Sequence, residues 1–233
     1  RLSADILRAA RDHHSGLFDR LRLHLVEASP EARRAQPAAL GDLAARLGSS
    51  SPALPDSFEG VLIANELLDA LPVHQVVMRE DGLREVYVDG PGEKEGRLLV
   101  TVEGPPSTPA LADYLSSLGI DLEPGWTAEI NLRAVEWIRD AAARMQRGFI
   151  ILIDYGHEAR DLYSPGHSGG TLTTFAGHTM AGPFDRKAPG GVEARTPAWL
   201  ERPGDQDLTA HVAFTSLRAA GEAAGLVTLG FLD

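Results

Sequence analysis

A short apolar run that ends in a cluster of polar side chains is the feature that most constrains the fold of this chain. It lies within Gly60–Gln75, where Val61–Ala64 shows no alternation of apolar and polar residues. Such a strand is expected to be covered on both faces, as in the parallel sheet of an α/β domain. Asn65, Glu66 and Asp69 fall at or just beyond its carboxyl end. Because open α/β sheets bind ligands outside those ends, we expect the chemistry to lie here.

Composition narrows the class of protein. The 233 residues, 43% of them hydrophobic, suffice for one large α/β domain or a domain with a sizeable insertion. No apolar run approaches the ~20 residues that cross a bilayer, so membrane insertion is not expected. A net charge of -11 at pH 7 argues against nucleic-acid binding and favours a neutral or basic partner. The absence of cysteine rules out disulfides and thiolate metal sites, and we take the cytoplasm as the default compartment.

Patterns before the apolar run agree with an α/β chain. Leu21–Glu27 alternates and is predicted to be a strand, and Ser29-Pro30 offers an N-cap and a first-turn proline for the next helix. Leu2 and Ile6 lie on the apolar side of an amphipathic helical pattern. Ser49–Pro55 is predicted to be a loop.

An antiparallel insertion is predicted after the run. Three strand-like segments are separated by turn residues, namely Val73–Met78, Arg84–Val88 and Arg97–Val102. We expect residues 73–125 to form an inserted substrate or partner subdomain, with residues 1–72 and 126–233 as the core.

A second buried strand, Phe149–Gly156, also ends in polar residues, so two strand tips are expected to point at one region. Two helices are predicted before it, one from Thr108 to Gly119 and one over Asn131–Gln146.

The remainder is predicted to consist of a long loop, a helix and a strand. Glu158–Asp205 has no sustained periodicity and is interpreted as a long mobile loop or lid around the short strand-like Thr171–Phe175. Asp207–Ala224 has helical spacing, and Leu226–Leu232 is predicted to be a further strand.

Glu27 is the first candidate site residue. A carboxylate between a strand and a helix fits the acceptor that holds ribose hydroxyls in nucleotide-type cofactor folds. It equally fits an acidic residue that is favourable near the N-terminus of the next helix. No Gly-x-Gly-x-x-Gly loop occurs, which disfavours a dinucleotide cofactor.

The cluster after the first strand also has two interpretations. Asn65 could cap a helix, with Glu66 and Asp69 complementing its dipole. Alternatively, two carboxylates and an amide orient a cationic substrate, for which an arginine guanidinium is the best match.

Histidines and the second strand tip complete the candidates. His74 lies on a strand, where a lone histidine is more often structural than catalytic. Asp154, Tyr155, Gly156 and His157 are more suggestive, because glycine permits a close approach and the others can donate or accept hydrogen bonds. No His-x3-His or His-Glu-x-x-His spacing occurs, so no metal site is expected, and no Gly-x-Ser-x-Gly elbow indicates a hydrolase.

Four motifs together resemble the MidA-like family of S-adenosylmethionine-dependent methyltransferases, which occurs in bacteria and mitochondria. In this sequence they are Asn65–Gln75, Ile153–His157, Gly170–Leu172 and Asp207–Val212. The resemblance covers essentially the whole chain.

The resemblance implies a fold and a set of site residues. The fold would be the class I methyltransferase fold, a Rossmann-like mixed sheet with helices on both faces, here with an antiparallel insertion. S-adenosylmethionine would be bound by Glu27 with Ala28 and Ser29, and by Asn65 and Glu66 beside the methyl group. Catalysis would fall to Glu66, Asp69 and Asn65. Substrate would be bound by His74 and by Asp154, Tyr155, Gly156 and His157.

The resemblance also implies a protein partner. Mitochondrial members resemble an assembly factor that dimethylates an arginine of a respiratory complex I subunit, whereas the substrate of bacterial members is left open. The oligomeric state is open as well, a homodimer included. The family has a Glu-x-Gly-x-Gly loop on its first strand, ahead of a helix that resembles Leu2–Ala10, so we expect the sequence to lack that loop and to be a fragment.

Two further functions compete with methyl transfer. A non-catalytic cofactor-binding assembly or scaffold protein would use residues 73–130 and 158–205 to hold a partner. A nicotinamide-dependent oxidoreductase would need the phosphate loop that this sequence does not show.

Overall fold

The computed structural model describes residues 1–90, 99–176, 179–181 and 197–232. They divide into two units, Arg1–Phe58 and Glu59–Asp233. Both contain helices and strands, as the sequence predicts. Within the described residues, none of the helices combines the length and apolar character that crossing a membrane requires.

The first unit is a small α/β element with its own core. Its elements are α1 (Leu2–His13), α2 (Ser15–Phe18), β1 (Leu23–Val26), α3 (Pro30–Leu40), a 3-10 helix (Gly41–Arg46) and β2 (Leu47–Ser51). Strands β1 and β2 are parallel. Ser29 caps α3, because its Oγ accepts from the N–H of Ala32 at 3.2 Å, and Pro30 opens the helix as predicted. The buried face of α1 carries Ala4, Leu7 and Ala10.

Two predictions in this unit are wrong. Leu2 and Ile6 are exposed rather than buried. The residues of α1 that face the core are instead Ala4, Leu7 and Ala10, which are spaced three apart. Part of the predicted Ser49–Pro55 loop is strand β2, since the backbone of Ser49–Ser51 pairs with β1 despite its polar side chains.

The second unit contains most of the elements. Strand β3 spans Phe58–Asn65, and its residues from Glu59 onward belong to this unit. The strands and helices up to the end of β8 are β4 (His74–Arg79), β5 (Gly82–Asp89), β6 (Val100–Gly104), α4 (Ala110–Ser117), β7 (Thr127–Ile130), α5 (Leu132–Arg144) and β8 (Met145–Ile153). They are followed by β9 (Gly156–His157), α6 (Ala159–Leu162), a 3-10 helix (Pro165–His167), β10 (Thr173–Ala176), β11 (Thr179–Ala181), α7 (Ala198–Glu201), β12 (Asp207–Thr209), β13 (Val212–Ala213) and α8 (Phe214–Ala223).

The described strands of this unit form four small sheets. Strand β3 pairs with β8, and β9 pairs with β13 in parallel. The order β6-β5-β4-β7 is antiparallel, which confirms the predicted antiparallel character of this region, although residues 97 and 98 lie outside the described residues. The other antiparallel sheet has the order β11-β10-β12.

One apolar core supports these sheets. Its fully buried centre is formed by Leu68, Val76, Leu111, Ile130 and Val212. Helices α5 and α8 pack against each other over it, and their buried residues include Ile138 and Leu217. Helix α4 begins and ends close to the predicted positions, with Gly119 at φ 64° after it. The region just after β3 is therefore anchored in the core, since Leu68 belongs to it.

The prediction that Val61–Ala64 is covered on both faces is wrong. Ala64 is 7% exposed, but Val61 is 56% and Ile63 is 40% exposed. The same alternation occurs in β8, where Phe149 is 56% exposed whereas Ile150 packs against the core. The described residues thus cover one face of the β3-β8 pair. An apolar run in the sequence does not reveal which residues pack on the other face of a strand.

Two further predictions fail in the last third of the chain, and a third holds in part. The start of the predicted helix Asp207–Ala224 is strand β12 and strand β13, because their backbone groups pair with β10 and β9. Leu226–Leu232 forms no strand, and among the described residues it has no ladder partner. Within Glu158–Asp205, the strand-like Thr171–Phe175 corresponds to β10, the described parts around it contain further short helices and strands, and residues 177–178 and 182–196 lie outside the described residues.

Candidate active site

One short segment, Ala210–Val212, ties the candidate residues of the second unit together. The N–H groups of three successive residues donate to three different segments of the chain. That of Ala210 reaches the carbonyl oxygen of Asp69 at 3.0 Å, and that of Val212 reaches the carbonyl oxygen of Tyr155 at 2.9 Å. The N–H of His211 reaches Oγ1 of Thr171 at 3.1 Å. All four motifs of the sequence therefore meet at this place.

The turn after β3 carries the two exposed candidates, Asn65 and Glu66. No helix follows Asn65, so the alternative in which it caps one is wrong. Glu66 has φ 48° and is the one non-glycine residue with positive φ in the described part of the chain. Its N–H donates to the carbonyl oxygen of Ile153 at 2.9 Å, which joins the ends of β3 and β8. A left-handed non-glycine residue costs about 1–3 kcal/mol and is concentrated at functional sites.

Asp154 holds that turn in place. Its Oδ2 accepts the N–H groups of Leu67 at 3.2 Å and Leu68 at 2.8 Å. Its Oδ1 accepts the N–H of Tyr155 at 2.9 Å. A carboxylate that accepts several backbone N–H groups fixes the chain around it. Asp154 therefore organises both strand tips, whereas the sequence suggested it as a substrate ligand.

Asp69 is the titratable group of this site. Burial, then the charge of Asp154 and that of Glu66, raise its pKa to about 6 from the usual 3.8. Asp69 is 6% exposed, and within the described residues its Oδ1 is buried without a hydrogen-bond partner. An orphaned buried carboxyl oxygen costs free energy and is an acceptor ready for a donor that enters the site.

Asn131 supports the turn from below. Its Nδ2 donates to the carbonyl oxygen of Leu68 at 2.8 Å, and its Oδ1 accepts the N–H of Ala134 at 2.8 Å. The sequence predicted a helix start here, but not that the capping amide would also hold the turn of Asp69. The N-cap preference is the only sequence signal that pointed to this residue.

Glu129 is a second organising carboxylate that sequence reasoning missed. Its Oε1 accepts from Gln75 at 3.0 Å, and its Oε2 accepts the N–H and Oγ1 of Thr171 at 2.6 and 3.1 Å. A Cβ at Gly170, which has φ 83°, would lie 2.4 Å from Oε1, so this position requires glycine. These bonds explain why Gly170 and Thr171 stand together in one of the four motifs. A glutamate on a short strand carries no distinctive pattern in sequence.

The remaining predicted substrate residues have different surroundings. His74 pairs with the buried Glu85 through Nδ1 and Oε1 at 2.7 Å. Burial alone would raise the pKa of Glu85, but its hydrogen bonds, including the one from His74, lower it. Tyr155 is 62% exposed at the strand tip. A Cβ at Gly156 would lie 2.1 Å from the carbonyl oxygen of Val212, so the close approach that glycine allows here is to a strand. The substrate roles stay predictions.

Glu27 lies in the first unit, directly after β1. Its Oε1 accepts the N–H of Ser29 at 2.8 Å, and its own N–H donates to the carbonyl oxygen of Ser51 at 2.9 Å. The guanidinium of Arg33 donates to the carbonyl oxygens of Glu27 and Ala28 at 2.6 and 2.9 Å. The carboxylate thus sits between a strand and a helix, as both interpretations of Glu27 require.

Comparison with known families decides the classification. Residues 1–232 match the family model described as S-adenosyl-L-methionine-dependent methyltransferase. The chain belongs to this methyltransferase family. The match confirms the resemblance that the four motifs indicated, and it establishes S-adenosylmethionine as the cofactor of the family.

Individual relatives agree with this membership. The chain is 30% identical over 240 residues to the mitochondrial protein arginine methyltransferase NDUFAF7 of Danio rerio, covering 93% of this chain and 50% of that protein. It is 32% identical over 169 residues to the NDUFAF7 homolog of Caenorhabditis elegans, covering 69% of this chain and 32% of that protein. The chain therefore spans half or less of these relatives.

Solved structures give the same result. A Burkholderia thailandensis protein bound to S-adenosyl-homocysteine has a TM-score of 0.79 and 31% identity, covering 96% of this chain and 53% of that one. A second Burkholderia thailandensis structure has a TM-score of 0.71 and 32% identity, covering 88% and 50%. The fold of this methyltransferase family member is thus shared over nearly its whole described length.

Proposed function

We propose that this protein transfers a methyl group from S-adenosylmethionine to an arginine of a protein substrate. The observation that carries the proposal is the pair of carboxylates at the tip of β3. Glu66 is exposed in a strained backbone conformation, and Asp69 is buried behind it with an orphaned oxygen. A guanidinium offers five N–H donors in a fixed fork and is always charged, so it suits two carboxylates that lie near each other.

Each unit carries residues whose chemistry suits part of this assignment. We propose that Glu27, with Ala28 and Ser29, accepts the ribose hydroxyls, and that Asn65 and Glu66 lie beside the reacting methyl group. When bound, S-adenosylmethionine would supply a methyl group on its sulfonium, and S-adenosylhomocysteine would leave as a neutral thioether when the acceptor nitrogen attacks the methyl carbon. The class I Rossmann-like arrangement is the fold that these roles require.

Asp69 and Glu66 have distinct tasks in this proposal. Glu66 orients the guanidinium, and its fixed position replaces part of the ordering that the reaction would otherwise need. The pKa of Asp69, near 6, leaves most of this carboxyl ionised at neutral pH. Asp69 can therefore accept the proton that the arginine nitrogen releases as the new N–C bond forms. His74 and Tyr155–His157 are proposed to contact the rest of the substrate.

The test is methyl transfer by a Glu66→Gln variant. The amide keeps the size of the side chain but loses the charge, so transfer from labelled S-adenosylmethionine should fall at least tenfold while cofactor binding measured by calorimetry is retained. Glu136→Gln is the matched control, because Glu136 is an exposed residue of α5 paired with Arg133. Unchanged transfer in the Glu66 variant would remove this residue from the proposal.

The acceptor protein is proposed to be a subunit of respiratory complex I, following the implication of the MidA-like resemblance, and the names of the mitochondrial relatives support an arginine as the methylated residue. Mass spectrometry of proteins from a deletion strain should show that an arginine methyl mark is lost. An assembly defect in which every mark persists would instead favour the scaffold function. The bacterial cytoplasm and a homodimer stay predictions.

A further inference from the structure

Three histidines far apart in the sequence converge beside the candidate active site. His157 lies on β9, shortly after Asp154 in the chain. His167 is the last residue of the 3-10 helix Pro165–His167, and His211 directly precedes β13. One ring nitrogen from each lies within 4.8 Å of the other two. The ring centroid of His157 is 4.9 Å from that of His167 and 5.2 Å from that of His211. The spacing of histidines in the sequence led us to expect no metal site, and spacing does not report this convergence.

We propose that His157, His167 and His211 form a binding site for a divalent transition-metal ion of the zinc type. Three imidazoles are the donor set of tetrahedral zinc sites that keep a fourth position for water or another ligand. Imidazole nitrogens favour zinc, cobalt, nickel and copper over magnesium and calcium, which prefer oxygen. The proposed methyl transfer calls for no metal, so this inference does not rest on that function, although the site shares His157 with the residues proposed to contact the substrate.

The surroundings of His167 prepare one ligand. Its Nδ1 lies 2.9 Å from the carbonyl oxygen of Asp161. A carbonyl oxygen can only accept, so Nδ1 carries the proton and Nε2 keeps its lone pair. Metal-bound histidines are commonly oriented by such a bond from the other ring nitrogen.

The surroundings of His211 prepare a second ligand for the ion. Its Nδ1 is buried and has no hydrogen-bond partner within the described residues. A buried ring nitrogen without a partner is a polar atom that a bound ion would satisfy. The backbone N–H of His211 donates to Oγ1 of Thr171, which fixes the backbone from which the imidazole side chain extends.

The geometry needs only side-chain adjustment. Nitrogens bound to one tetrahedral zinc at ~2.0–2.1 Å are about 3.3 Å apart, so separations of up to 4.8 Å must shorten. All three side chains are half-buried, which leaves room for rotation and access for the ion. A bound ion would join β9, the 3-10 helix Pro165–His167 and the segment before β13, and the first and last of these meet at the candidate active site.

Metal titration tests the site directly. Untagged protein, freed of metal with a chelator and dialysed, is titrated with Zn²⁺ and with Co²⁺. One equivalent should bind with micromolar affinity or tighter, and Co²⁺ should develop the visible absorption of a tetrahedral site. His157→Gln, His167→Gln and His211→Gln should each weaken binding by more than the ~10–100-fold that loss of an outer-shell partner typically causes. His13→Gln, at an exposed histidine of α1, should bind as the parent does.

The outcomes separate clearly. Absence of saturable one-equivalent binding by the parent protein overturns the proposal, whatever the variants do. The proposal is also overturned if the three variants keep the stoichiometry and Co²⁺ spectrum of the parent. Should a variant fold poorly by circular dichroism, the parent titration followed by tryptophan fluorescence still decides, because Zn²⁺ must raise the unfolding temperature of the parent and a chelator must reverse it.

Discussion

Replacing Asp69 with asparagine should stabilise the second unit at neutral and alkaline pH. The rise of its pKa from 3.8 to about 6 means that the folded chain holds the proton more tightly than the unfolded chain. The stability that this group contributes is therefore complete below pH 3.8 and is lost as the pH rises through about 6. Asparagine is neutral at every pH, and its Nδ2 can donate to Asp154 as the protonated acid does, so the variant avoids that loss.

The size of the effect follows from the same two values. A rise from 3.8 to about 6 corresponds to about 3 kcal/mol above pH 7, as an upper limit for this buried group. At ~2–4 °C per kcal/mol, the variant should unfold up to roughly 6–12 °C higher at pH 8. At pH 5 the gain should shrink to about half, because the parent carboxyl is then mostly protonated when folded.

Tryptophan fluorescence provides the assay. All three tryptophans, Trp126, Trp137 and Trp199, lie in the second unit and report its unfolding. Urea or thermal unfolding is measured from pH 5 to pH 8, with Asp121→Asn as the control at an exposed aspartate. A variant of Asp69 that is less stable than the parent at pH 8, or that gains the same amount at every pH, would refute the reasoning.

Three further substitutions test the framework of the site. Gly156→Ala should cost about 1–3 kcal/mol or more, because its Cβ would lie 2.1 Å from a carbonyl oxygen of the neighbouring strand, and urea unfolding should leave the open Gly230→Ala control unchanged. Glu129→Gln should cost about 1–3 kcal/mol in the same assay, since the amide turns one buried acceptor into a donor that faces donors, and a loss no larger than that of the exposed Glu136→Gln would contradict this. Asn131→Ala removes the cap of α5 and the donor to the turn, so thermal unfolding should show a loss of at least the ~0.5–2 kcal/mol of a cap alone, and full stability would count against the dual role.

Local elements were largely predictable because local rules decide them. Helix α5 begins after Asn131 as the N-cap pattern indicates, and α4 ends before Gly119, which takes a positive φ. Antiparallel strands β4 and β5 alternate strongly enough to be recognised. Asp207–Ala213 failed for the opposite reason. Its spacing suits a helix, but backbone pairing with β9 and β10, which are distant in sequence, outweighs that preference.

The candidate site was predictable only in part. Asn65, Glu66 and Asp69 lie where a strand ends, and the end of a strand can be recognised from the order of residues in the sequence. The tasks of Asp154 and Glu129 depend on which backbone groups reach their carboxylates, and no spacing rule encodes those partners. The exposure of Val61 likewise depends on which neighbours lie on that face of the sheet.

The amino-acid sequence by itself determined the α/β class, the polar strand tips and, through four motifs, the methyltransferase family. Each of these follows from residues that are neighbours along the chain or from the order of short motifs. Tertiary structure alone decided that Ala210–Val212 joins the motifs, that Asp69 is buried with a raised pKa and that three histidines meet. The physical reason is that burial and hydrogen bonding depend on groups brought together across tens of residues, which only the folded backbone places within a few ångströms of one another.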